Sequence, residues 1–178
     1  KEEIKDLDQM AAHAKSVVEH GYSALKTKIH CFDETGGTGY FPCFGSESGA
    51  PELNLSPLML KNIINQMSAI RESVGDELDL ILDLNSNFKP DSIIRISRAL
   101  EHLGIRWLEV DVFDADILRD IRQKSPIPIG GCEMLCNAKS FAPFFSKRSV
   151  DVPLLDVSWN GLLAVSYTHL RAHETASD

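Results

Sequence analysis

The chain has 178 residues, 43% hydrophobic and 25% charged, enough for one domain with a real core and ordinary for a globular protein. With 18 Lys and Arg against 26 Asp and Glu the net charge is −8, and no basic cluster offsets it, which argues against nucleic acid as a partner. No apolar run reaches the length of a membrane span, so no membrane partner is expected. The four cysteines, Cys31, Cys43, Cys132 and Cys136, match no zinc or redox spacing, and they read as reduced thiols of a cytoplasmic protein.

Residues 1–20 read as an amphipathic helix with Met10, Ala14, Val17 and Val18 as its apolar stripe and Gly21 as its stop. The chain opens directly on this helix, so further sequence upstream is expected. Residues 24–29 read as a strand, with Leu25, Thr27 and Ile29 on one face and Lys26 and Lys28 on the other. On a solvated edge strand two lysines would be ordinary charges against aggregation; the apolar face and the preceding helix favour an inward pair. Residues 31–56 contain Gly36, Gly37, Gly39, Gly45 and Gly49 without a phosphate-binding pattern, and read either as a flap over a site or as a plain surface excursion.

Ser56-Pro57 starts a helix carrying Ile63, Ile64, Met67, Ile70 and Val74, ended by Gly75. The next stretch, 78–88, organises the rest. Leu78, Leu80 and Leu82 alternate with Asp79, Ile81 and Asp83, so Asp83 stands at the carboxyl end of a buried strand. A helix from Pro90 to Gly104 leads to a strand ending at Glu109. A short helix with Ile117, Leu118 and Ile121 leads to a strand ending at Glu133. A helix at 137–147, which Pro143 should kink or break, leads to a strand at 152–157 bearing Asp156. The intervals Asp83–Glu109, Glu109–Glu133 and Glu133–Asp156 are 26, 24 and 23 residues, the period of parallel βα units.

Parallel βα folds present their chemistry at the carboxyl ends of the strands. Asp83, Glu109 and Glu133 at one rim form a hard-cation site of the Mg²⁺ type; the plainer alternative is three unrelated solvated acids. After Gly161 the pattern fails. His169 and His173 have the spacing of a metal pair on a helix, but 165–178 reads as a non-native tail of adapter read-through and is set aside.

Lys26-Thr-Lys28, Asp83-Leu-Asn85, Glu109, Glu133 and Asp156-Val-Ser, in that order, resemble the mandelate racemase group of the mandelate racemase/muconate lactonizing enzymes, within the enolase superfamily. The resemblance implies an α/β fold, a partial TIM-type (β/α) barrel with about five strands present in an incomplete catalytic domain at 1–164. The N-terminal capping domain and last barrel strands would lie elsewhere, and the fragment itself would be inactive. It implies Mg²⁺ held by Asp83, Glu109 and Glu133, and a small carboxylate substrate, an acid sugar or hydroxy acid, whose enediolate the metal stabilises. Lys28 matches the general base, Lys26 its companion, Asn85 a substrate-binding position, and Asp156 the partner of a His on the next strand. A homo-oligomer is expected of the full-length parent. Glu109-Val-Asp111, Cys132, Leu154-Leu155 and Gly161-Leu162 depart from the family pattern and bear on substrate choice more than on metal binding.

The chemistry supports the same reading, because an α-proton of a carboxylate is removable only with a divalent cation and a nearby base. Dehydration of an acid sugar is the first expectation, and racemisation or epimerisation the second. Outside this class stand a non-enzymatic phospho-acceptor module with Asp83 as acceptor, and a degenerate barrel that keeps the metal without catalysis.

Overall fold

The computed structural model describes residues 4–33, 36–39 and 54–160. In chain order the elements are α1 (Leu7–Glu19), β1 (Ala24–Lys28), β2 (His30–Asp33), β3 (Gly36–Gly39), α2 (Pro57–Val74), β4 (Asp79–Asp83), α3 (Pro90–Leu100), a 3-10 turn (Glu101–Leu103), β5 (Ile105–Glu109), α4 (Ala115–Lys124), β6 (Ile129–Gly131), α5 (Asn137–Ser146), β7 (Val152–Pro153) and α6 (Val157–Asn160). Five strands form one parallel sheet in the order β1-β4-β5-β6-β7, and β2 and β3 form a separate antiparallel pair. Each parallel neighbour follows through a helical crossover, the connection that parallel pairing requires.

The helices start where their caps say they should. The Asp6 carboxylate accepts the Gln9 N–H, Ser56 accepts from Met59 with Pro57 as the first helical residue, and Asp114 accepts from Asp116 and Ile117. Gly21 and Gly75, just past α1 and α2, take positive φ, which lets the chain turn back toward the sheet. α1 packs on α2, α3 on α4 and α4 on α5. Their apolar stripes cover one face of the sheet, where Leu80, Leu82 and Leu108 are buried, along with Leu78 and Leu84 at the ends of β4. Burying each such leucine is worth about 1.5–3 kcal/mol, so β4 is held by its even-numbered face and leaves Asp79 and Asp83 to the other side.

Three expectations change. The glycine-rich stretch is not all loop: His30–Asp33 pairs with Gly36–Gly39, while the remainder, 40–53, with the flap assigned to it, lies outside the described residues. The last strand is only Val152–Pro153, because it pairs on one side alone and Pro153 has no N–H to extend the ladder, so Asp156 falls in the turn beyond it. α5 runs through Pro143 to Ser146 without breaking; Lys139 and Pro143 are both exposed, and water can take the carbonyl that the proline leaves free. The tail at 165–178 lies outside the described residues. No helix among the described residues is long and apolar enough to cross a membrane.

Candidate active site

Strand register assembles the rim. Lys28 pairs with Asp83, Asp83 with Glu109, and Glu109 with Gly130, so Lys28, Asp83 and Glu109 stand side by side at the carboxyl ends of β1, β4 and β5. Lys26, two residues back on the face that carries Lys28, reaches across. Its Nζ donates to Glu109 Oε1 at 2.6 Å and stands 3.1 Å from Asp83 Oδ2. The other Asp83 oxygen, Oδ1, accepts the Asn85 N–H at 2.8 Å, which holds Asn85 at φ +53°.

Glu109 is 2% exposed, and its Oε2 is buried without a hydrogen-bond partner. Trp107 precedes it on the same strand face and lies against Gly130, where a Cβ would come within 2.6 Å of the indole Cδ1. That glycine is therefore required by packing. Burial pushes the Glu109 carboxyl up to about 7; Lys26 opposes the rise, and the charges of Asp83 and Glu133 add to it. Burial alone would lower the Lys26 amine, but its bond to Glu109 and the charges of Asp83 and Glu109 outweigh it, and its pKa lies above the usual value. Asp111 is raised by burial and by Asp83 and Glu133, against a 3.4 Å hydrogen bond from Ser86. Burial also drives the Cys132 thiol up to about 12, with Asp111 adding to it.

Asp83 and Glu109 are thus brought together through Lys26. Glu133 stands two residues past β6, near enough for its charge to act on both Glu109 and Asp111. Among the described residues no three acid, His or Cys side chains are closed around a single point; the Lys26 ammonium lies between Asp83 and Glu109. The donor set nonetheless fits a hard divalent cation: three carboxylates at or just past the ends of adjacent strands, one buried oxygen with no partner, and a cationic group already drawn between two of them. Asn85 stands at the same rim with its Nδ2 buried and unpartnered. Lys26, Lys28, Asp83 and Asn85 line one pocket of about 520 Å³. Asp156 behaves differently: its Oδ1 accepts the Ser158 N–H at 2.7 Å and starts α6, and no hydrogen bond or ion pair among the described residues joins it to the lysines or the other acids.

Two residues of the rim's support are absent from the sequence expectations. Gln66, fully buried on α2, donates to the Lys28 carbonyl at 2.8 Å and accepts the His30 N–H at 2.9 Å. Asn62, one turn earlier, donates to the His30 carbonyl at 2.6 Å. The signal was an amide at position 66 inside the apolar stripe Ile63, Met67, Ile70, where a buried polar side chain has to be hydrogen-bonded.

Residues 9–174 match the family described as enolase C-terminal domain-like. The chain is 26% identical over 161 residues to an arabinonate dehydratase of Saccharolobus solfataricus, covering 89% of this chain and 36% of that protein. It is 27% identical over 151 residues to an N-succinyl-L-Arg/Lys racemase of Bacillus cereus, covering 83% of this chain and 34% of that protein. Among solved structures, a Burkholderia xenovorans LB400 protein assigned as an L-alanine-DL-glutamate epimerase superposes with a TM-score of 0.89 at 32% identity, covering 96% of this chain and 43% of that one; it has also been solved bound to magnesium and fumarate. The chain therefore spans about a third of the length of these curated relatives. The parallel sheet with its helical layer is part of a TIM-type barrel, and the chain belongs to the enolase C-terminal domain-like family.

Proposed function

We propose that this chain carries the base and the metal-ligating acids of an enzyme that removes the proton α to a substrate carboxylate. The observation that supports it most is the register Lys28–Asp83–Glu109, with Lys26 drawn between the two acids. Asp83, Glu109 and Glu133 would hold the divalent cation, which supplies the positive charge that an enediolate needs. Lys28 takes the proton. Lys26 stays protonated and, released from the acids, orients the substrate carboxylate. Asn85 offers its unpartnered amide to a substrate oxygen. Asp156 is assigned as orienting partner of a histidine on a following strand. Lysines titrate near 10.4, and Lys28 needs to be lower; the neighbouring Lys26 charge and the bound cation both act in that direction.

Acid-sugar dehydration is the favoured reaction, after the arabinonate dehydratase likeness. Racemisation or epimerisation of an amino-acid derivative is the second reading, after the racemase likeness. The test is deuterium incorporation at the α-carbon by the full-length parent enzyme in D₂O with Mg²⁺, offering arabinonate, N-succinyl-L-arginine and L-Ala-L-Glu. Exchange without loss of water marks the second reading, and formation of a 2-keto acid the first. Lys28→Met should lower exchange by about 10²-fold or more. Exchange at the wild-type rate in Lys28→Met would falsify the base assignment.

A further inference from the structure

The residue two past the base carries a second proton-transfer group. His30 opens β2, directly after the strand that presents Lys26 and Lys28. Nearly every polar group it owns is committed. Its N–H is held by Gln66, its carbonyl by Asn62, and its Nδ1 stands 3.1 Å from the Lys28 carbonyl. A carbonyl oxygen only accepts, so Nδ1 carries the hydrogen and the neutral ring keeps its lone pair on Nε2. The ring is fixed further by Phe32, stacked at 6.3 Å between centroids and 14° between planes. Nε2 alone has no partner among the described residues. His30 lines the same pocket as Lys26, Lys28, Asp83 and Asn85, and His13 of α1 lines it too.

We propose that His30 is a proton-relay residue for Lys28: Nε2 receives the proton that Lys28 has taken from the substrate and passes it to water. The inference rests on Lys28 being the base, as proposed above. The proton count closes. Neutral Lys28 gains the α-proton and becomes an ammonium; it returns one proton to Nε2, giving an imidazolium and a neutral amine; the imidazolium releases that proton to solvent. For the relay to run near pH 7, His30 has to start neutral. Burial lowers its pKa, its bond to the Lys28 carbonyl works against that, and the Lys28 charge lowers it further, with a net fall below 6.5. The charged and titratable groups that line the pocket with it are Lys26 and Lys28 from β1, Asp83 from β4 and His13 from α1, of which the Lys28 charge acts on the ring, while α2 holds its backbone with the neutral amides of Gln66 and Asn62.

The test is two-part. Imidazole ¹⁵N–¹H spectra of the chain, with His13→Asn to assign the signals, should show His30 as the Nδ1–H tautomer at pH 7. Its titration midpoint should lie below 6.5 and rise in Lys28→Met. An Nε2–H tautomer, or a midpoint that Lys28→Met leaves in place, overturns the proposal. In the deuterium-exchange assay with the three carboxylates named above, His30→Ala should slow exchange about tenfold near pH 7 and added imidazole should restore it. A purely structural role would not be rescued by imidazole, and wild-type exchange in His30→Ala overturns the relay while leaving Lys28 as base. If Lys28→Met exchanges like wild type, it is the base assignment that fails, and the relay with it.

Discussion

Glu109 decides how the rim responds to pH. Its carboxyl is raised from 4.5 to about 7, so the fold favours the protonated form. A raised carboxyl contributes stability in full below its unfolded value, and that stability is lost as pH rises through the folded value. The metal-free chain should therefore melt at lower temperature at pH 8 than at pH 5, and Glu109→Gln should flatten that part of the profile, as read by circular dichroism. Divalent cations need the ionised form, so their affinity should climb through about pH 7 in the wild type. Among the thiols, Cys132 is buried with its pKa pushed up to about 12, whereas Cys136 is exposed. Iodoacetamide at pH 7.5 should label Cys136 in the native chain and Cys132 only after denaturation, as mass spectrometry would show.

The elements are joined at the opposite end of the sheet by one side chain. Arg71, in the last turn of α2, donates to the carbonyls of Gly75, Leu78, Leu103 and Gly104, tying α2 to the start of β4 and to the turn before β5. Arg71→Ala should cost about 2–3 kcal/mol in urea unfolding, because several carbonyls lose a charged donor. Far from the rim, it should leave metal binding unchanged in the folded protein. The amides of α2 show the limit of what the sequence disclosed. Alternation at 78–83, the cap at Ser56 and the acid spacing placed β4, α2 and the rim, because each is a local pattern with a fixed period. The hairpin at 30–39 and the bonds from Gln66 and Asn62 to the Lys28–His30 backbone depend on which helix packs over which strand, and no local period encodes that. Lys26 was legible as a same-face neighbour of Lys28, but its bridge between Asp83 and Glu109 follows from register across three strands.

At the scale of the molecule, the sheet positions three carboxylates at or just past the ends of adjacent strands, and the charge balance there governs cation binding. Lys26 offsets the charge of Asp83 and Glu109. In the proposed reading a cation held by Asp83, Glu109 and Glu133 would take over that role and free Lys26. Lys26→Met should accordingly lower the stability of the metal-free chain and strengthen cation binding, since the amine no longer competes; a melt with and without Mg²⁺ gives both. The most direct measurement is Mn²⁺ binding followed by electron paramagnetic resonance at pH 8. One tight site per chain is predicted, lost or weakened at least tenfold in each of Asp83→Asn, Glu109→Gln and Glu133→Gln, and retained in Lys28→Met. Mn²⁺ binding that survives unchanged in all three acid variants would contradict the account, since the rim would then not be the site that holds the ion.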